Sequence, residues 1–132
     1  MKVDVAISQI DMEWENTTRN LARFEPAVAE AKADIVVLPE MFATGFKLRP
    51  SVVAEPMDGE EFTTMLHCAR EFRTEVVGSV VISKWGAICT CLLFVEPLSW
   101  MSSYHTYHLL SHWPVAQHDS PRPTPMIFAY NV

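Results

Sequence analysis

Positive charge is in short supply in this chain: ten Lys and Arg stand against sixteen Asp and Glu among 132 residues, a formal net charge of −6. That balance argues against a nucleic-acid surface, which needs clustered Lys and Arg to meet phosphates. Long apolar runs are missing too, and no window approaches the roughly 20 apolar residues of a membrane span. Asp4 stands where a secretory leader would have its apolar run, so the expected setting is cytoplasmic. Asn16-Thr17-Thr18 then reads as a helix cap and not a glycosylation acceptor. Cysteine is limited to Cys68, Cys89 and Cys91. Without a Cys-x-x-Cys pair they suggest neither a disulfide framework nor a zinc site, but thiols that behave as small hydrophobes. Gly78-Ser79 lacks the Gly-rich turn and lysine of a phosphate loop. Charge itself runs out along the chain: 23 charged residues fall in positions 1–84, and only Glu96, Asp119 and Arg122 in the last 48.

A hydrophobic content of 49% is ample for a core, and the length suits one domain or half of a larger one. Val3, Val5 and Ile7 alternate with Asp4, Ala6 and Ser8, the period of a strand. Asn16 or Thr17 then caps a helix with Leu21, Phe24, Val28 and Ala31 on its apolar face. Pro26 inside it predicts a kink. Ile35 to Leu38 is a strand buried on both faces, completing a βαβ unit. After a loop over 47–57, Asp58 and Glu61 suggest a capping box for a second helix. Its buried face is Phe62, Met65, Leu66, Ala69 and Phe72. Strands follow over Val76–Ile82, Cys91–Val95 and Ser102–Tyr104, so the order is β-α-β-α-β-β. Residues 1–110 form the folded unit; 111–132 are a Pro-rich tail in which Met126–Tyr130 suggests one last short strand.

The chemistry concentrates at Ile35-Val36-Val37-Leu38-Pro39-Glu40. Pro39 stops a buried strand and a carboxylate follows at once. In open α/β sheets functional groups gather just beyond the carboxyl ends of strands. Set against Met41, Phe42 and Phe46, the Glu40 carboxylate is expected to be partly desolvated, which would raise its pKa toward that of a general base. A second pattern is His105, His108 and His112, spaced three and four apart with His118 and Asp119 beyond; on a helix the first three would share a face able to hold a divalent metal. Trp85, Trp100 and Trp113, with Tyr104 and Tyr107, lack the basic interleaving of a base-stacking platform and read as packing.

Val36-Val37-Leu38-Pro39-Glu40-Met41-Phe42, ending in Thr44-Gly45-Phe46, resembles the first active-site motif of the nitrilase superfamily, the carbon–nitrogen hydrolases, and most closely its ω-amidase-type members. The likeness extends to Ser8–Asn16 with Asn20-Leu21 upstream. Downstream, Glu55-Pro56-Met57-Asp58-Gly59, Val77-Gly78-Ser79-Val80 and Leu93-Phe94-Val95-Glu96-Pro97 follow in family order. The resemblance spans residues 1–97. It implies the N-terminal half of an α-β-β-α sandwich: a mixed sheet with two helices on one face, in a family whose complete members are about twice this length and associate as dimers. It also implies hydrolysis of small carboxamides without a cofactor. A cysteine attacks the carbonyl to give a thioester, a glutamate moves the protons, and a lysine steadies the oxyanion. Glu40 takes the glutamate position. In the segment Tyr104-His105-Thr106-Tyr107-His108-Leu109, Thr106 stands where the lysine is expected, and none of the three cysteines lies in the nucleophile's context. The implied protein is a truncated, diverged hydrolase, inactive alone, that associates with itself or with a missing C-terminal half. The alternatives are a non-catalytic interaction module using an exposed sheet face, and the histidine metal binder.

Overall fold

A computed structural model describes residues 2–45, 50–84 and 86–98, together with the backbone of 102–106. The elements are β1 (Val5–Ile7), α1 (Thr17–Ala31), β2 (Ile35–Val37), a 3-10 turn at Pro50–Val52, α2 (Glu60–Phe72), β3 (Glu75–Lys84), β4 (Ala87–Val95) and β5 (Ser102–Thr106). The five strands form one sheet in the order β1-β2-β3-β4-β5. The first three are parallel, joined through α1 and α2; β3–β4 and β4–β5 are antiparallel. The sheet is therefore mixed, as expected.

Alternation fixes which side chains meet the helices. Val36, Val76, Val80, Ile82, Leu93 and Val95 gather with Leu21, Phe24 and Val28 of α1 and Met65 and Ala69 of α2 in one buried cluster. Each such side chain removed from water contributes roughly 1.5–3 kcal/mol before the entropy of ordering is counted. The other face is covered unevenly: Val77 and Val81 are buried, whereas Val5 and Ile7 remain 57% and 73% exposed.

Helix ends differ in how closely they follow the sequence signals. At α1 the Asn16 side chain accepts the Arg19 N–H at 3.3 Å, the expected cap, and Lys32 closes the helix in the left-handed region. Pro26 lies within the helix on its exposed side, and one helix runs through it from Thr17 to Ala31. The capping box expected at Asp58 and Glu61 does not form. The helix begins at Glu60, and the Glu55 carboxylate accepts the Glu61 N–H at 3.1 Å. Glu55 can do this because its backbone is clipped to β3: its N–H donates to Val81 at 3.0 Å, and its carbonyl accepts from Ser83 at 2.8 Å. Glu61 is left buried, on the same side as Met65, Cys68 and Ala69. Phe62, Leu66 and Phe72 are half-buried against the cluster, not at its centre.

The β3–β4 hairpin is longer than the sequence suggests. Nine residue pairs run from Val76–Val95 to Lys84–Ala87, and Gly86 turns the chain with a φ of +76°. The Pro-rich tail and its expected strand at Met126–Tyr130 lie outside the described residues, as do His108, His112 and His118.

Candidate active site

Leu38 ends the central run by donating its N–H to the Val77 carbonyl at 2.8 Å, and Pro39 has no N–H with which to continue. The chain then turns tightly. Met41 takes a φ of +50°, and its carbonyl accepts the N–H groups of Thr44 at 3.1 Å and Gly45 at 2.8 Å. A left-handed methionine is unfavourable by itself, so its surroundings must hold it. Three contacts do. The Met41 N–H donates to the Ser79 hydroxyl at 2.9 Å. The Phe42 ring meets Phe24 edge-on, with centroids 5.0 Å apart. Asn20, fully buried on α1, donates from Nδ2 to the carbonyls of Ala43 at 2.8 Å and Glu13 at 2.7 Å, while its Oδ1 accepts the Glu13 N–H at 2.7 Å.

Residues 41–45 are thus all buried, and Glu40 stands exposed at their head. This corrects the expected desolvation: Met41 and Phe42 point into the core and leave the Glu40 carboxylate in solvent. The position is that of a group presented beyond a strand's carboxyl end. A carboxylate there can exchange protons with a bound molecule, and a rigid turn fixes its place.

The other expected site residues are not gathered around it. Thr106 closes β5, opposite Thr90 of β4. With β3 and β4 between them, β2 and β5 are three strand spacings apart, about 14 Å. Cys68 faces the core from α2, and burial, with the Glu25 carboxylate adding, pushes its thiol up to about 11. Cys91 faces the core from β4 and is pushed up to about 12 by burial, reinforced by Cys89. Thiols so buried and protonated are not the thiolates that attack carbonyls. His105 lies in a strand, so the helical face expected to join it to His108 and His112 does not start where it must. Among the described residues no group of three or more His, Cys, Asp or Glu gathers to hold a metal, and no helix is long and apolar enough to cross a membrane.

Asn20 and Ser79 are the residues that sequence reasoning passed over, although both lay inside quoted motifs. The available signal was a polar residue on the apolar stripe Leu21–Phe24–Val28.

Comparison with known proteins places this geometry. The family model for carbon–nitrogen hydrolases matches residues 4–126. No curated protein matches in sequence. Among solved structures, XC1258 from Xanthomonas campestris, a CN-hydrolase superfamily protein with an arsenic adduct in its active site, superposes with a TM-score of 0.72. The two are 24% identical, over 83% of this chain and 42% of that one. Saccharomyces cerevisiae Nit3, a member of branch 10 of the nitrilase superfamily, gives 0.69 at 17% identity, over 90% and 49%. An N-terminal amidase gives 0.71 at 15% identity, over 88% and 31%. These likenesses speak for the fold alone, and the chain spans less than half the length of each. The family match over nearly the whole sequence, with a Leu-Pro-Glu turn built at the end of a parallel strand, makes this chain a member of the carbon–nitrogen hydrolase family.

Proposed function

We propose that the chain is the glutamate-bearing half of an ω-amidase-like carbon–nitrogen hydrolase, with Glu40 in the position of the general base, and that it does not turn over substrate alone. The observation that carries this reading is the locked turn over 41–45, which holds an exposed carboxylate beyond β2. In this scheme the chain supplies one of three groups: polypeptide outside these 132 residues brings the cysteine, and Thr106 stands where a lysine would steady the oxyanion. Losing one oxyanion donor typically lowers the rate about 10²–10³-fold, and losing the nucleophile removes the covalent route altogether. Three free thiols suit a reducing, cytoplasmic setting.

The test is ammonia release from glutaramate-type amides by the purified chain. No release above buffer is expected, with or without Thr106→Lys, because a cation stabilises an oxyanion only after something has attacked. Turnover that Glu40→Gln abolishes would overturn the claim of inactivity and show a nucleophile among the present residues.

A second reading, an interaction module without catalysis, is favoured by the exposed Val5 and Ile7 side chains on the face away from the helices. Capture of a separately produced C-terminal segment of a relative, without gain of ammonia release, would favour it.

A further inference from the structure

Glu61 takes no part in the reading above, yet it is the one buried carboxyl among the described residues, 3% exposed on the first turn of α2. Two charges act on it among those residues: Glu55 from the loop before α2, and Glu60 beside it on the helix, both negative. The cluster beneath α2, built from α1, β3 and β4, offers apolar side chains and thiols. Burial and the two carboxylates push Glu61 up to about 8. Once ionised it is a buried anion facing other anions, and it must reach water.

What holds this turn of the helix is Glu55. Its carboxylate accepts the Glu61 N–H at 3.1 Å and lies over the N-cap, where a Cβ on Gly59 would come within 2.7 Å of the Glu55 Cβ. The backbone of Glu55 is in turn clipped to the edge of β3 that faces β2. Along that edge Val77 accepts the Leu38 N–H, Ser79 holds the Met41 N–H by its hydroxyl, and Val81 and Ser83 hold Glu55. The clip therefore starts two residues beyond the Glu40 turn, about 6.6 Å further along the same strand.

We propose that Glu61 and Glu55 form a pH-operated latch beside the candidate active site. With Glu61 neutral, Glu55 caps α2 and stays clipped to β3. When Glu61 ionises, residues 53–61 swing out together and uncover the β3 edge that adjoins the Glu40 turn. The step moves one proton from the Glu61 carboxyl to solvent. It breaks three hydrogen bonds: Glu61 N–H to Glu55, Glu55 N–H to Val81, and Ser83 N–H to Glu55. The latch depends on where Glu40 stands, not on whether Glu40 catalyses.

The experiment is amide hydrogen exchange of the full chain between pH 5 and pH 7.5, read residue by residue by NMR and corrected for the intrinsic rate. A carboxyl that ionises at 4.5 when released and at about 8 when latched makes opening easier as pH rises between those values. The N–H groups of Glu55, Glu61 and Ser83 should share one opening equilibrium, more populated than the one that exposes the Leu38 N–H. That equilibrium should rise about a hundredfold over the range. Glu61→Gln should remove the rise. Glu55→Gln, which keeps an acceptor for the cap but not the charge, should make it smaller. Exchange of the three groups only in step with Leu38 would mean whole-molecule unfolding and overturn the proposal. So would a rise that survives Glu61→Gln, or one of undiminished size in Glu55→Gln.

Discussion

At the scale of single residues, buried polar groups organise the site more than its exposed carboxylate does. Asn20 ties α1 to the 11–13 segment and to the Glu40 turn through three hydrogen bonds between 2.7 and 2.8 Å. Asn20→Ala strips a partner from the buried Ala43 carbonyl and from the half-buried N–H and carbonyl of Glu13, at about 1–3 kcal/mol for a buried group left unmet and less for those that water or Asn16 can reach. Allowing for water to enter, a loss of about 3 kcal/mol in urea unfolding is expected. Ala22→Leu, at an exposed position of the same helix, should be far milder, within about 0.5 kcal/mol. Glu61 offers a different test. Burial, with the Glu55 and Glu60 carboxylates adding, pushes its carboxyl from 4.5 up to about 8. A group that holds its proton more tightly when folded stabilises the fold fully below pH 4.5, and that contribution drains away as pH rises toward about 8. Wild-type stability should therefore fall across this window and level off above it. Glu61→Gln, which cannot ionise, should flatten the slope, leaving the smaller drift of Glu75, whose carboxyl is raised by burial and by Glu96. An equal slope in both proteins, measured by denaturation over that pH range, would count against a buried Glu61 carboxyl.

At the scale of elements, the packing that holds the Glu40 turn is set by a residue with no side chain. A Cβ on Gly78 would lie 3.2 Å from the Phe42 ring and 3.3 Å from the Met65 methyl. Met65 can swing its end aside, but Phe42 is held edge-on against Phe24. Gly78→Ala should be mildly destabilising, while Gly78→Val should cost about 1–3 kcal/mol and loosen the turn. Faster amide hydrogen exchange at Thr44 and Gly45, relative to α2, would report the loosening. Much of this layer was legible beforehand. The alternation of β1 and the stripe of α1 each follow one period, and the structure keeps them. The run at Ile35–Leu38, expected to be a strand buried on both faces, forms a strand over Ile35–Val37 with Val36 and Leu38 buried. Ile35 and Val37 are only half-buried, because the face away from the helices is thinly covered. The start of α2 was not legible, because its cap is Glu55, positioned by pairing with β3 and not by its neighbours in sequence. The first half of β4 was missed although Ile88, Cys89 and Thr90 are strand formers just after Gly86; the hairpin register continues through them to Ala87. Glu40 itself was found by motif, but its exposure depends on which way Met41 and Phe42 point, and a left-handed φ at Met41 cannot be read from sequence.

At the scale of the whole molecule, the two faces of the sheet are unequally covered. Helices α1 and α2 cover one face; on the other, Val5 and Ile7 of β1 form an exposed stripe, with exposed Val3 just before the strand. β1 is also an edge of the sheet, and it is three residues long, so its outer side offers few backbone groups for pairing. The apolar stripe is thus the stronger drive to association than the open edge. A stripe that continues into the half-buried Ile35 and Val37 beside it is the kind of apolar surface that marks an interface or an aggregation hazard. The chain in solution is therefore expected to be a dimer or larger, and size exclusion with light scattering at micromolar concentration measures this. Val5→Lys with Ile7→Glu removes the stripe without touching the core, since only Ala6 of that strand packs against it. The double variant should shift the population toward monomer and leave the unfolding midpoint of the monomer little changed. A wild-type chain that elutes as a monodisperse monomer and unfolds cooperatively would place the cover for this face within the chain itself and remove the need for a partner.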